Sequence, residues 1–361
     1  MRGITNLSLM VGLLLGAATV ASGLDVSAEG EIRDALSTCM DQVRERITDE
    51  CGKVYALREK YGLALLPFLE EYIADANERV RWQSYCSMIL VALDSNDVVA
   101  RQGIVYKLLT RMRDDVVRNS AYLASRLLQF ETADFSGEAK RLVQQQFQRA
   151  LDGGMTYEAR DIFLLVGVAD LKSELPRLKQ FIEEREQKLR SYRAREVEEL
   201  QESLRGSSSG PSGGQQRWLE RQWWQGTLVW AALRARARMG VKDDIERCIQ
   251  LVDSHPNEDY KVGKPLRDLV YVRQPEVVDY IYDYLKSDRK TPDDPPCVLG
   301  EAYASRAVRA LSEMLRGFPA RRDLVHADTG TIERCREWMA EQKQKQLEAE
   351  KPEEKQWDII R

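Results

Sequence analysis

Apolar residues recur three and four positions apart along most of this chain, and this spacing restricts its fold more than any other feature. Short polar segments rich in Asp, Asn or Gly join the stretches that carry the spacing. Four such stretches read LALLPFLEEYI, VRWQSYCSMILVAL, GIVYKLLTRM and AYLASRLLQF. The sequence contains no run of clean apolar and polar alternation bounded by hairpin turns. It therefore predicts an all-α protein.

The helical pattern also repeats along the chain. At an offset of 37 residues, NERVRWQSYCSMILVAL aligns with DDVVRNSAYLASRLLQF. A second alignment pairs GVADLKSELPRL, which begins at Gly167, with GVKDDIERCIQL, which begins at Gly240. A single pair of helices cannot bury its apolar faces alone, so three or more such units must stack on one another.

Two of these stretches carry an acidic or amide turn followed by Val-Arg, as NERVR at residues 77–81 and DDVVR at residues 114–118. In this they resemble HEAT-like repeats, and the resemblance covers residues 64–315. It implies a helical-hairpin solenoid, an α-α superhelix that binds other molecules rather than catalysing a reaction. In that family the Val packs inward and the Arg reaches the neighbouring turn, and the resemblance extends these roles to Val80, Arg81, Val117 and Arg118.

Composition and pattern divide the chain into six segments. We expect a signal peptide at 1–23, an N-terminal helical cap at 24–62, HEAT-like repeats at 63–183, a charged helical insertion with a Ser/Gly linker at 184–215, further HEAT-like repeats at 216–330, and a C-terminal cap helix with a polar tail at 331–361. The insertion is either a solvated helical extension or an arm that reaches a partner helix. Its narrow apolar seam favours the first interpretation.

The first residues have the form of a secretory signal. An apolar run follows Arg2 and ends in the small residues of Ala21-Ser22-Gly23, so cleavage is expected before Leu24 or, as a second choice, after Ala21. An uncleaved N-terminal anchor is the alternative, although the run is short for a membrane span. We find no later stretch long enough to cross a bilayer. The sequence predicts an exported protein, periplasmic or secreted, without stable membrane insertion after cleavage.

Little in the sequence points to catalysis or to a cofactor. There are two histidines, and the motifs of serine hydrolases, zinc proteases, phosphate-binding loops and dinucleotide folds are absent. The six cysteines are scattered without metal-ligand spacing, which favours reduced and mostly buried thiols. A net charge of −4 argues against nucleic acid as a partner. We expect no catalytic, cofactor-binding or metal-binding residues.

One stretch, RWLERQWWQGTLVWAALRARARMG, is rich in both Trp and Arg. On a helical wheel one stripe runs from Trp224 to Met239 and is typical of a core face. A second stripe carries Trp223 and Trp230, and Arg234 lies between the two stripes. The second stripe is core, a peptide-binding surface, or a surface for bases and phosphates. Because Trp and Arg dominate interface hot spots, the predicted partner-binding residues are Trp223, Trp230 and Arg234.

These features favour an exported HEAT-like scaffold that binds protein partners and performs no catalysis. The alternative is an enzyme or a small-ligand-binding protein on the same scaffold. It would use acidic loop residues as catalytic groups. A cleft with two convergent carboxylates and raised pKa values would support this alternative.

Overall fold

The computed structural model describes residues 24–46, 52–114, 119–152, 159–188, 228–254, 262–290, 302–321, 326–348 and 357–360. Helices account for most of them, and the two β-bridges that occur there, Lys290–Ala302 and Leu315–Ile359, are isolated. The prediction of an all-α protein is confirmed. None of the described helices is both long enough and apolar enough to span a membrane. The chain divides into two compact units, Met1–Glu158 and Ala159–Arg361.

The described helices of the first unit are α1 Val26–Arg44, α2 Gly52–Tyr61, α3 Leu66–Glu70, α4 Glu78–Asp94, α5 Val98–Asp114, α6 Asn119–Leu127 and α7 Gly137–Asp152. Acidic and amide side chains cap several of their first turns. The Asn77 side chain accepts a hydrogen bond from the Arg79 amide at 2.9 Å, and Asp97 accepts one from the Val99 amide at 2.9 Å. Such caps explain why Asp and Asn mark the turns in the sequence.

Contacts sort the helices of the first unit into two rows. In one row α1 packs on α3 and α5 packs on α7, and a Lys107–Glu70 ion pair links α3 to α5. In the other row α4 packs on α6, and an Arg58–Asp94 ion pair of 2.9 Å links α2 to α4. The core of this unit contains the fully buried side chains of Ile32, Leu36, Leu65, Leu69, Val80, Leu109, Leu123, Val143 and Phe147.

The described helices of the second unit are α8 Ala159–Val168, α9 at 175–188, α10 at 228–238, α11 Lys242–Asp253, α12 Lys264–Val270, α13 Pro275–Leu285, α14 Tyr303–Met314 and α15 Thr329–Glu348. Here too helices pack against the next-but-one helix in the sequence. The pairs that contact in this way include α11 with α13, α12 with α14, and α13 with α15. An Arg247–Glu186 ion pair links α9 to α11.

Three turns of the second unit share one backbone conformation. Asp170, Gly240 and Arg273 follow α8, α10 and α12, and their φ angles of 51°, 88° and 50° are left-handed. Asp170 is therefore the structural equivalent of Gly240, and the sequence alignment of Gly167 with Gly240 is wrong by three residues. The alignment failed because an aspartate occupies a left-handed position where glycine is the usual residue.

Gly167 has a different role, which is to permit a close helix crossing. It lies inside α8, and a Cβ atom added there would stand 2.9 Å from both the Cα and the carbonyl oxygen of Ala235 in α10. Real Cβ atoms do not approach backbone atoms so closely, so any side chain at residue 167 would push the two helices apart. The glycine therefore sets the distance between α8 and α10.

The end of the predicted polar tail is buried. Trp357 is 7% exposed, Ile359 is 8% exposed and Ile360 is 1% exposed, all within the second unit. The charged residues before this segment are typical of a solvated tail, so the burial of its end differs from the predicted polar tail. Three apolar side chains within four positions are enough to dock an extended segment against a helical unit.

We predict opposite effects from one substitution at two helical glycines. Gly167→Ala should destabilise the chain by about 1–3 kcal/mol, because α8 and α10 must separate to admit the methyl group. Gly30→Ala, in α1, adds a Cβ that meets nothing within 4 Å and should stabilise by about 0.5–1 kcal/mol through its helix propensity. Urea unfolding measures both. A shift of the same sign for the two variants would contradict the close crossing.

Candidate functional site

The structure places two of the three predicted partner-binding residues, Trp230 and Arg234, side by side on α10. Trp223 lies outside the described residues. The half-buried Trp230 donates a hydrogen bond from Nε1 to the Asp268 carboxylate at 3.1 Å. Arg234 is only 5% exposed, and its Nη1 stands 3.3 Å from the same carboxylate. Both side chains therefore bind one aspartate of α12.

A second arginine, Arg238, and the tyrosine Tyr271 extend this group of side chains. The Arg234 guanidinium lies 5.2 Å from the Trp230 ring centroid, and that of Arg238 lies 5.0 Å from the Tyr271 ring centroid. Arg238 also donates to the Tyr271 carbonyl at 2.8 Å, and the Tyr271 hydroxyl donates to the Leu164 carbonyl. We call Trp230, Arg234, Arg238, Asp268 and Tyr271 the arginine cluster. It ties α8, α10 and α12 together.

Burial controls the electrostatics of the arginine cluster. It lowers the pKa of Arg234, and the nearby Asp268 carboxylate opposes that shift. Burial also raises the pKa of Tyr271, so its hydroxyl keeps its proton and donates to the helix carbonyl. Because Arg234 binds within the protein, the half-buried side of Trp230 is the part of the predicted surface that a partner could reach.

Cys248 and Asp244 are among the other titratable groups of the second unit with raised pKa values. Burial raises the pKa of the Cys248 thiol to about 12, so this thiol is protonated at neutral pH and is a poor nucleophile. Burial also raises the pKa of Asp244, although Arg236 Nε stands only 2.7 Å from its carboxylate. Cys248 and Cys335 are buried free thiols, as the sequence predicted for most cysteines. Among the described residues no three His, Cys, Asp or Glu side chains could hold a metal ion together.

A groove that the sequence analysis did not identify runs between α2, α4 and α6 in the first unit. Its volume is about 270 Å³, and side chains from all three helices line it. The floor includes Ile89, Gln83 and Ser87, of which Ile89 is 2% exposed. The partly accessible side chains of the groove are Tyr55, Arg58, Trp82, Cys86, Leu90 and Arg126.

Arg58 connects the aromatic and charged parts of the groove. Its guanidinium lies 5.1 Å from the Tyr55 ring centroid, and its Nε forms the 2.9 Å ion pair with Asp94. Tyr55 is 41% exposed, so its ring is accessible at the surface of the groove. The groove therefore presents rings, aliphatic surface and guanidinium groups together.

Two features of the sequence point to this groove. Trp82, Cys86 and Leu90 recur every four residues and form a stripe on α4, separate from the stripe that includes the buried Val80. The 37-residue offset pairs Trp82 with Asn119, so the tryptophan is also a departure from the repeat. Neither the stripe nor the departure from the repeat distinguishes a surface stripe from a second core face. That distinction depends on how α2 and α6 pack against α4.

No protein-family model, curated protein or solved structure matches this chain, so its function is inferred from its own residues.

We predict that Asp268→Asn destabilises the chain by about 2 kcal/mol, because it removes the charge that faces the buried Arg234. The expected loss is below that of a fully buried pair, since the Asp268 side chain is 25% exposed. The matched control is Glu71→Gln in the Arg33–Glu71 pair, whose side chains are 54% and 51% exposed. It should leave the urea midpoint unchanged. Equal midpoints for the two variants would show that Asp268 does not hold the arginine cluster.

Proposed function

We propose that this chain is an exported HEAT-like repeat scaffold that binds protein partners and catalyses no reaction itself. The proposal joins an arrangement of stacked helical hairpins, a surface for a partner and a location outside the cytoplasm. Different observations support each of these parts. The groove between α2, α4 and α6 carries the central claim, which is the binding of a protein.

Packing in sequence order supports the solenoid arrangement. In each unit, helices contact the next helix and the next-but-one helix, so neighbouring hairpins cover one another's apolar faces. The turns after α8, α10 and α12 share the left-handed conformation, as expected if one structural unit recurs.

Polar contacts between residues about one repeat length apart also support the solenoid arrangement. Arg101 and Asp134 are 33 residues apart, as are Arg238 and Tyr271, and both pairs are hydrogen-bonded. The Lys107–Glu70 pair spans 37 residues, which equals the offset of the sequence repeat. When hairpins stack in order, each polar side chain meets its partner about one repeat away.

The residues that carry the HEAT-like resemblance have surroundings that fit it. Val80 is fully buried, and Arg81 Nη1 donates to the Asp75 carbonyl of the preceding turn at 2.7 Å. Arg101 occupies the same place in α5 and donates to the Ser95 carbonyl at 2.6 Å, again six residues back. Their counterparts Val117 and Arg118 lie outside the described residues.

The chemistry of the groove suits a protein partner. Trp, Tyr and Arg are the residue types that contribute most to protein interfaces, and here Trp82, Tyr55 and Arg58 line one concave surface. The rings offer apolar contact area at a small cost in side-chain entropy, and the guanidinium groups offer directional donors. Trp230 is a second candidate contact, through its half-buried side. Arg234 would support it by holding Asp268 in place.

The proposed location rests on the sequence alone. The secretory signal at 1–23 lies outside the described residues. An exported scaffold requires no cofactor, and the net charge of −4 does not favour nucleic acid as a partner. The proposed partner is therefore a protein of the same compartment.

The groove predicts a specific loss of binding in one tryptophan variant. Trp82→Ala should weaken partner recovery by at least about tenfold, since truncating a hot-spot residue costs about 2 kcal/mol or more. The measurement is affinity capture from the native compartment with quantitative mass spectrometry. The matched control is Trp338→Ala, which removes a half-buried tryptophan of α15 that packs against Phe318. If both folded variants recover the same proteins as the unmodified chain, the groove is not the binding surface.

A further inference from the structure

The segment Trp357–Ile360 lies beside the end of α14 and pairs with it as an added strand. Leu315 and Ile359 form an antiparallel β-bridge. The Ile360 amide donates to the Met314 carbonyl at 2.8 Å, and the Arg316 amide donates to the Asp358 carbonyl at 2.9 Å. These two hydrogen bonds flank the bridge, as in a regular antiparallel pair. The backbone after α14 thus offers an edge to an extended peptide.

Apolar side chains, rather than charges, hold the segment in this slot. Ile360 is 1% exposed, and Trp357 and Ile359 are also buried. The Asp358 side chain is 75% exposed, and its carboxylate stands 3.7 Å from Arg316 Nε, a surface contact of small energy. Burial of the three apolar side chains therefore supplies most of the binding energy.

Arg273 fixes the end of the segment. Its Nη1 donates to the Ile360 carbonyl at 2.7 Å. Its backbone is left-handed with φ 50°, an uncommon conformation for a residue with a branched or long side chain. Residues 357–360 are therefore hydrogen-bonded both by the turn between α12 and α13 and by the end of α14. Together they form a slot with two backbone anchors and one side-chain anchor.

We propose that this slot is a recognition site for extended protein segments with the pattern aromatic, polar, aliphatic, aliphatic, and that Trp357–Ile360 is its resident occupant. Main-chain hydrogen bonds of this kind do not depend on the sequence of the added strand, and specificity comes from the side-chain pockets. A segment of a partner protein with the same pattern can therefore displace the resident one. The inference is independent of the groove between α2, α4 and α6.

The sequence around the segment supports an occupant that can be displaced. The eight residues AEKPEEKQ, 349–356, precede Trp357 and contain no large apolar side chain. The segment is thus a short apolar block joined to α15 by a polar connection. Because Trp357–Ile360 is linked to α15, its effective concentration at the slot is about millimolar. An external peptide must compete with it, and binds well only when Trp357–Ile360 has left the slot.

The test uses the full chain with Ile360→Asp, which puts a carboxylate where the side chain is 1% exposed. The Arg316 amide should exchange its hydrogen at least about tenfold faster than in the unmodified chain, because its bond to Asp358 is lost. A labelled peptide, KQWDIIR, should then bind the variant at least about tenfold more tightly than it binds the unmodified chain, as measured by fluorescence anisotropy.

The control peptide carries Ile359→Ser and Ile360→Ser, and it should bind neither protein. Retained protection of the Arg316 amide in the variant, or loss of protection without peptide binding, overturns the proposal. So does protection that falls on dilution of the unmodified chain, since the occupant would then come from a second copy. If Ile360→Asp does not fold, Ile360→Ala replaces it, and the same two readouts apply with smaller changes.

Discussion

A pair of helices with apolar side chains on more than one side must be covered by its neighbours, and the described structure depends on that constraint. Val80 and Leu123 are fully buried because α4 and α6 each pack against more than one other helix, and Val143 is buried on α7, which packs against α5. The same constraint explains why α10, with Ala231, Ala235 and most of its other residues buried, shows two apolar stripes in the sequence. Contacts with neighbouring helices therefore bury these apolar faces.

Polar side chains determine how neighbouring helices are aligned. Arg101 donates one hydrogen bond to the Ser95 carbonyl in the turn before α5. It donates another to the Asp134 carboxylate in the turn before α7. Arg238 of α10 donates to the Tyr271 carbonyl at the end of α12. A guanidinium group can make several directional bonds at once, which suits it to fix the position of one helix against the next. The slot at Arg273 and the end of α14 uses the same chemistry for an extended segment.

The sequence predicted the parts of the fold that depend on local chemistry. The all-α class follows from the spacing of apolar residues, and the burial of Val80 is what the HEAT-like resemblance implies. Where several residue types satisfy one backbone requirement, sequence alignment failed: Asp170, and not Gly167, shares the left-handed φ of Gly240. The groove and the docked segment depend on which helices meet, and one helical wheel contains no information about that.

The repeat arrangement is tested most directly by the coupling energy between Arg101 and Asp134, which are 33 residues apart and join α5 to the turn before α7. Their side chains are 14% and 1% exposed, so solvent screens the pair only weakly. A double-mutant cycle with Arg101→Gln and Asp134→Asn, followed by urea unfolding, measures this coupling. Stacked repeats predict a favourable coupling of about 1–3 kcal/mol. Additive effects of the two substitutions, with no coupling, would contradict the account.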